Sequence, residues 1–291
     1  MNKRIFTYSV LVGLVFWTSL LQAKTILVSI EPEIYFVQAI LGKSQEVAVM
    51  IPKGVNPHVY SPKPAQLKKM AASDGYLAIG LPFEKIWLKR FQRQNKKLQV
   101  FYLDKGIKKY PLEQNVLWLS ARQVKTSNPQ ELDPHIWLGL SQAKQIAQNT
   151  CLALSSIYPQ KKQLFQGRLR SFLLHLDDLQ KSFARRLAHL KQRSFLVFHP
   201  SWGYFARNFA LEQLAIEVKG REPTAKELAR LIAEIQKKHL KVLITSPEFS
   251  ARQAQTIVQR LGLNLVRIDP LAQNLERSWQ KLVNVLVRNN E

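Results

Sequence analysis

Between Gln160 and about Lys191 the apolar residues Phe165, Leu169, Phe172, Leu176, Leu179, Phe183, Leu187 and Leu190 follow one another at steps of three and four. That spacing lines one stripe of a single α-helix. At ~1.5 Å per residue the segment predicts a rod of roughly 45 Å, long enough to run the height of two domains. A chain with such a rod near its middle must pack something against it at both ends. The flanking sequence supplies short β-branched runs at Thr25–Ile30, Glu46–Ile51, Gly75–Gly80 and Gln99–Leu103 before it, and at Ser194–Phe198, Ala215–Val218, Val242–Thr245 and Leu265–Ile268 after it. With helical segments between them, these runs predict parallel sheets. The fold class is therefore α/β, two similar parallel-sheet lobes joined by one long rigid helix. The expected divisions are an N-terminal lobe over 24–158, the connecting helix over 159–193 and a C-terminal lobe over 194–291. Only 11 Gly occur and none cluster into a hinge, so small lobe shifts are expected instead of a wide closure.

The N-terminus predicts export. Lys3 and Arg4 precede an apolar run from Ile5 to Leu21 and then Gln22-Ala23, the order of a secretory signal over residues 1–23 with cleavage after Ala23. Cys151 is the single cysteine, so neither a disulfide nor a lipid-bearing cysteine at the signal's end is expected. This fits a periplasmic chain, soluble after processing and without stable membrane insertion. Cys151 reads as a small buried helix residue.

The charge balance is unusual, with 43 Lys+Arg against 20 Asp+Glu and a net charge of +23. The excess is spread over both halves of the mature chain. No block of five like charges and no zinc-finger or RNP spacing accompanies it, so it reads as a solvated basic surface, and no nucleic-acid partner is expected.

Three of the six histidines stand in comparable places. His58 follows the run ending at Ile51, His199 directly follows Phe198, and His135 opens a helical segment after Pro134. Asp269 ends the run Leu265–Ile268. In open parallel α/β sheets the ligand crevice lies beyond the carboxyl ends of the strands, where these four groups can meet, two from each lobe. Three neutral imidazoles and a carboxylate suit tetrahedral Zn²⁺ better than Mg²⁺ or Ca²⁺, with Mn²⁺ disfavoured. Pro57, Pro134, Pro200 and Pro270 adjoin the four residues and stiffen their turns, so the site is expected to be largely preformed. Taken singly, each histidine also reads as a capped turn or a satisfied core group. No H-E-x-x-H or C-x-x-C pattern decides the matter, so spacing alone leaves a metal site and a structural role both open.

The motifs go further. Gly54-Val55-Asn56-Pro57-His58-Val59-Tyr60 with Ser61-Pro62-Lys63-Pro64, Ile79-Gly80 with Phe83-Glu84-Lys85-Ile86-Trp87, Asp133-Pro134-His135-Ile136-Trp137-Leu138, Phe198-His199-Pro200-Ser201-Trp202-Gly203-Tyr204, Glu222-Pro223-Thr224, Ser246-Pro247-Glu248-Phe249-Ser250 and Ile268-Asp269-Pro270-Leu271 occur in this order. Together they resemble the periplasmic metal-binding subunit of zinc and manganese ABC importers, over the length of the mature chain. The resemblance implies a solute-binding protein and not an enzyme. It implies His58, His135, His199 and Asp269 as metal ligands, Zn²⁺ as the transported ligand, and the membrane permease of a zinc ABC importer as the partner of a monomeric receptor. Manganese members resemble this chain but carry a carboxylate where His199 stands, so the histidine points to zinc. Many zinc members carry a long His-rich acidic loop, whereas Tyr110–Asn128 is short and has no histidine.

A rival reading is a zinc hydrolase, because three histidines and a water form a catalytic arrangement. A carboxylate ligand at Asp269 would close the fourth position against it. No G-x-S-x-G elbow is present. His175, His189 and His239 are read as solvated. Trp137, Trp202, Tyr60 and Tyr204 are read as packing around the cleft. Asp133, Glu31 and Glu222 are the candidates for accepting the second N–H of a ligating imidazole.

Overall fold

The computed structural model describes residues 24–43, 46–112, 132–217, 224–249 and 251–290. The signal segment 1–23, most of the Tyr110–Asn128 loop, Val218, Glu222 and Ser250 lie outside the described residues.

The first lobe holds β1 (Ile26–Val28), α1 (Pro32–Leu41), β2 (Val47–Val49), α2 (Pro64–Ala71), β3 (Gly75–Ala78), α3 (Pro82–Gln94) and β4 (Gln99–Tyr102). Its strands pair in parallel in the order β2-β1-β3-β4. The two inner strands are buried throughout, while the edge strands β2 and β4 are half-exposed. A strand covered by helices on both faces has no polar face to show, which is why Ile26-Leu27-Val28 is a continuous apolar run.

Then come α4 (Leu140–Ile157) and the rod α5 (Lys162–Leu187), which a 3₁₀ turn at Pro159–Lys161 precedes. The rod has 26 residues, roughly 39 Å at ~1.5 Å each. It buries Phe165, Phe172, Leu176, Phe183 and Leu187 along the stripe read from the sequence. Arg168 of the rod donates to the carbonyls of Ile40 (3.0 Å) and Leu41 (2.6 Å), two of the last carbonyls of α1, which lack an intrahelical partner.

The second lobe repeats the first. It holds β5 (Ser194–Val197), α6 (Gly203–Asn208), β6 (Glu212–Ala215), α7 (Ala225–Lys237), β7 (Val242–Thr245), α8 (Ala251–Leu261), β8 (Asn264–Arg267) and α9 (Leu275–Arg288), with parallel strand order β6-β5-β7-β8. The rod packs on α1 and α4 at one side and on α9 at the other, so it touches both lobes. Strand β6 begins three residues before the run read from the sequence. Its register against β5 pairs Ser194 with Glu212 and Val197 with Ala215. Two polar residues hide this start: Glu212 is tied to Ser194 and to Lys238 (2.7 Å), and buried Gln213 accepts the Trp202 N–H (2.7 Å).

The lobes are bonded to one another close to where the strands end. The indole N–H of Trp137 donates to the Pro270 carbonyl (2.8 Å), that of Trp279 to the Leu138 carbonyl (2.9 Å), and the Tyr204 hydroxyl to the Asp133 carbonyl (3.0 Å). These buried ties give physical ground for the stiff cleft expected from the glycine count. Trp137→Phe keeps an aromatic ring, though a smaller one, and orphans a buried carbonyl. The expected result is a loss of about 1–3 kcal/mol in the stability of the metal-free protein, read from its urea midpoint.

Candidate metal centre

Each of the three histidines is placed by a short turn at the carboxyl side of the sheets. After β2 the chain enters a 3₁₀ turn, Pro57–Val59, in which the Asn56 side chain accepts the His58 N–H (2.9 Å). His135 stands just before a second 3₁₀ turn, Ile136–Leu138. The fully buried Asp133 carboxylate accepts both the His135 backbone N–H (2.9 Å) and its ring Nδ1–H (2.7 Å). His199 follows β5, and its Nδ1–H meets Glu217 (2.8 Å), which follows the neighbouring β6. The Phe249 ring stacks on the His199 ring at 4.9 Å and 24°.

Because carboxylates hold the Nδ1 protons of His135 and His199, the lone pair of each ring lies on Nε2. The three Nε2-bearing rings converge. His135 Nε2 lies 3.3 Å from His58 Nε2 and 3.3 Å from His199 Nε2, and one ligand atom from each of the three histidines falls within 4.8 Å of the other two. Burial, reinforced by the neighbouring His135 and His199, pushes the His58 imidazole down to about 2. Burial and then His199 push His135 well below the ordinary range. The Nε2 lone pairs of His135 and His199 thus face each other at 3.3 Å, an arrangement that a cation between them would satisfy.

Asp269 does not join the convergent group. Its Oδ1 accepts the Leu271 N–H (2.8 Å), and its carboxyl is in hydrogen-bond contact with that of Glu248. Glu248 lines the cavity beside His58, His135, His199 and Leu81. Burial first, and then the Asp269 charge, push the Glu248 carboxyl up against the opposing hydrogen bond from Ser246.

Of the proposed imidazole partners, Asp133 is in place. Glu31 instead precedes α1 and makes no side-chain cap there. Glu217 was not anticipated, although a carboxylate two residues beyond the strand next to His199's strand is a usable signal. His175 is exposed on the rod, as read, and its Nε2 also meets Glu276 of α9 at 2.9 Å. His189 and His239 are exposed.

The family model for the periplasmic zinc-uptake complex component A, ZnuA, matches residues 26–289. The chain belongs to this family. Among solved structures, a crystal structure of ZnuA superposes with a TM-score of 0.83 at 32% identity, covering 92% of this chain and all of that one. A ZnuA deletion mutant with zinc bound gives 0.82 at 32% identity, over 92% of this chain and 98% of the other. A cadmium-bound periplasmic metal-binding protein from Candidatus Liberibacter asiaticus, at 18% identity, shares the fold with a TM-score of 0.75 over 91% of this chain and all of its own. The zinc-binding protein AdcA of Streptococcus pyogenes serotype M3 is 24% identical over 291 residues, 93% of this ZnuA-family chain. The chain spans 56% of that relative's length. Among the described residues no helix is long and apolar enough to cross a membrane.

Proposed function

We propose that this chain captures Zn²⁺ in the periplasm, in the cleft between its lobes, and delivers it to the membrane permease of an ABC importer. The observation that carries this is the pair of 3.3 Å Nε2···Nε2 distances centred on His135. A tetrahedron with Zn–N bonds of ~2.0–2.1 Å has edges of ~3.3–3.4 Å, so His135 already stands from His58 and from His199 at the separation the ion requires. His58, His135 and His199 hold the cation through Nε2. Asp133 and Glu217 fix two of the rings and set two carboxylates behind a dication. The fourth contact comes from the acidic side of the cleft, where Asp269 stands.

Family membership and the zinc-bound ZnuA relative support the cargo. The nitrogen at His199 favours Zn²⁺ over Mn²⁺. The chain acts as a monomeric receptor and not an enzyme, and nucleic acid is not its partner.

The mature chain from Lys24, stripped with a chelator, is expected to bind one Zn²⁺ per molecule by competition titration and to prefer it to Mn²⁺. Failure to bind stoichiometric zinc, or a preference for Mn²⁺, overturns the proposal. Zinc-dependent ester hydrolysis by the loaded protein would favour the hydrolase instead.

A further inference from the structure

Three imidazoles leave a tetrahedral ion one contact short, and the resemblance places Asp269 there. The geometry points to Glu248 as the residue whose oxygen reaches the ion, with Asp269 as a positioning residue that holds Glu248. This rests on the zinc-capture reading above.

Four observations carry it. Among the described residues, Glu248 is the carboxylate that lines the cavity shared by His58, His135 and His199, and Asp269 does not line it. One oxygen of Asp269 is spent on the Leu271 N–H (2.8 Å) and its carboxyl contacts Glu248, which is itself held by Ser246 and is the member of the pair on the cavity side. The next residue, Phe249, stacks on His199 at 4.9 Å, which fixes the Glu248 segment against a ring of the site. The topology agrees: β7, whose following loop carries Glu248, lies between β5, which leads to His199, and β8, which leads to Asp269. The loop is thus central in the sheet and the Asp269 loop is at its edge.

The chemistry favours a ligand at this place. A carboxylate oxygen bonds Zn²⁺ at ~2.0–2.2 Å and closes the fourth position, so the ion is held as cargo and no bound water is left to activate. A glutamate on a loop also has a longer side chain than aspartate, which lets it swing in and out while the three imidazoles stay fixed by Asp133, Glu217 and the turn at Asn56. Release of the ion then requires displacing one flexible arm before the rigid nitrogens.

The test uses the full mature chain and two probes, Zn²⁺ for affinity by chelator competition and Co²⁺ for the d–d absorption of a tetrahedral site. Glu248→Gln is expected to weaken Zn²⁺ binding at least ~30-fold and to shift the Co²⁺ bands. Glu248→Asp, which keeps the charge but withdraws it by one methylene, is expected to fall between it and the wild type. Asp269→Asn is expected to weaken Zn²⁺ by less than ~10-fold, the lower range for a group behind a ligand, and to leave the bands in place. Unchanged affinity and spectrum in Glu248→Gln overturn the inference, and so does a band shift in Asp269→Asn as large as in Glu248→Gln. Failure of zinc capture itself shows differently, as a wild type that binds no Zn²⁺.

Discussion

His135→Ala is expected to lower zinc affinity by roughly 10²–10³-fold. A four-ligand zinc site binds with about 10–16 kcal/mol near neutral pH, so one ligand carries about 2.5–4 kcal/mol, and each 1.4 kcal/mol is tenfold. His135 is the most consequential of the three imidazoles because both 3.3 Å contacts run through it. Its removal also takes one of the donors to the buried Asp133 carboxylate, which keeps the His135 backbone N–H. Competition titration reads the affinity, and His239→Ala, at an exposed site, serves as the control with no change expected. Undiminished binding by His135→Ala would remove the histidine cluster from the function altogether.

The features legible in the sequence are those set by local pattern. A stripe with steps of three and four can only be a helix face, so the rod was readable to within a few residues of Lys162–Leu187. Strands β1 and β3 were readable because burial on both faces leaves them wholly apolar. The histidines stood out because a strand end followed by a proline-stiffened turn is a local signature. The readings that fell short depend on what neighbouring strands do. The start of β6 is set by its register on β5, where polar Glu212 and Gln213 find partners far away in sequence. Glu217 faces His199 only because β5 and β6 are adjacent. Asp269 was placed correctly at a strand end, but where its carboxyl turns depends on Leu271 and Glu248.

Charge follows the same division. The +23 of the whole sequence repels a dication at long range, and salt screens it over ~8 Å. Around the cleft the order is reversed, with Asp133, Glu217, Glu248 and Asp269 all within its walls or directly behind them. The sum over the sequence is silent on this, because the four carboxylates converge only after both sheets have formed.

A larger stability effect is expected from Glu84→Ala. The Glu84 carboxylate is buried and accepts from Ile79 N–H (3.1 Å), Gly80 N–H (2.7 Å), Leu81 N–H (3.0 Å) and the Ser29 hydroxyl. It therefore ties the loop after β3 to the loop after β1. Gly80 makes that loop possible, since its φ of +88° belongs to the left-handed region and a Cβ there would run into the Lys109 and Asp104 side chains. Without Glu84 the Ser29 hydroxyl keeps Tyr76 at 2.7 Å, but three N–H groups lose their acceptor at about 1–3 kcal/mol each where water cannot reach them. The expected loss is about 4 kcal/mol or more, a large part of the ~5–15 kcal/mol that holds a typical domain, and Leu81, which lines the metal cavity, would move with the loop. Glu84→Gln separates the charge from the shape. Burial raises the Glu84 carboxyl to about 7, and burial with the Glu84 charge raises Glu33 well above its ordinary value; buried Tyr76 and, for Glu33, Asp104 also face this pocket. An acid raised in the folded state contributes stability that is full below its unfolded value and is lost as pH rises through the folded one. The histidines act oppositely: His58 and His135 are lowered, so their contribution is full above ~6.5 and is lost as pH falls. Glu84→Gln leaves the histidine side intact and removes one acid. Its stability relative to wild type should therefore improve between pH 5 and 8, by up to about 3 kcal/mol at ~1.4 kcal/mol per pH unit. Urea midpoints of the two metal-free proteins at both pH values measure this, and a gap that does not change with pH would mean that Glu84 ionises at its ordinary value despite its burial.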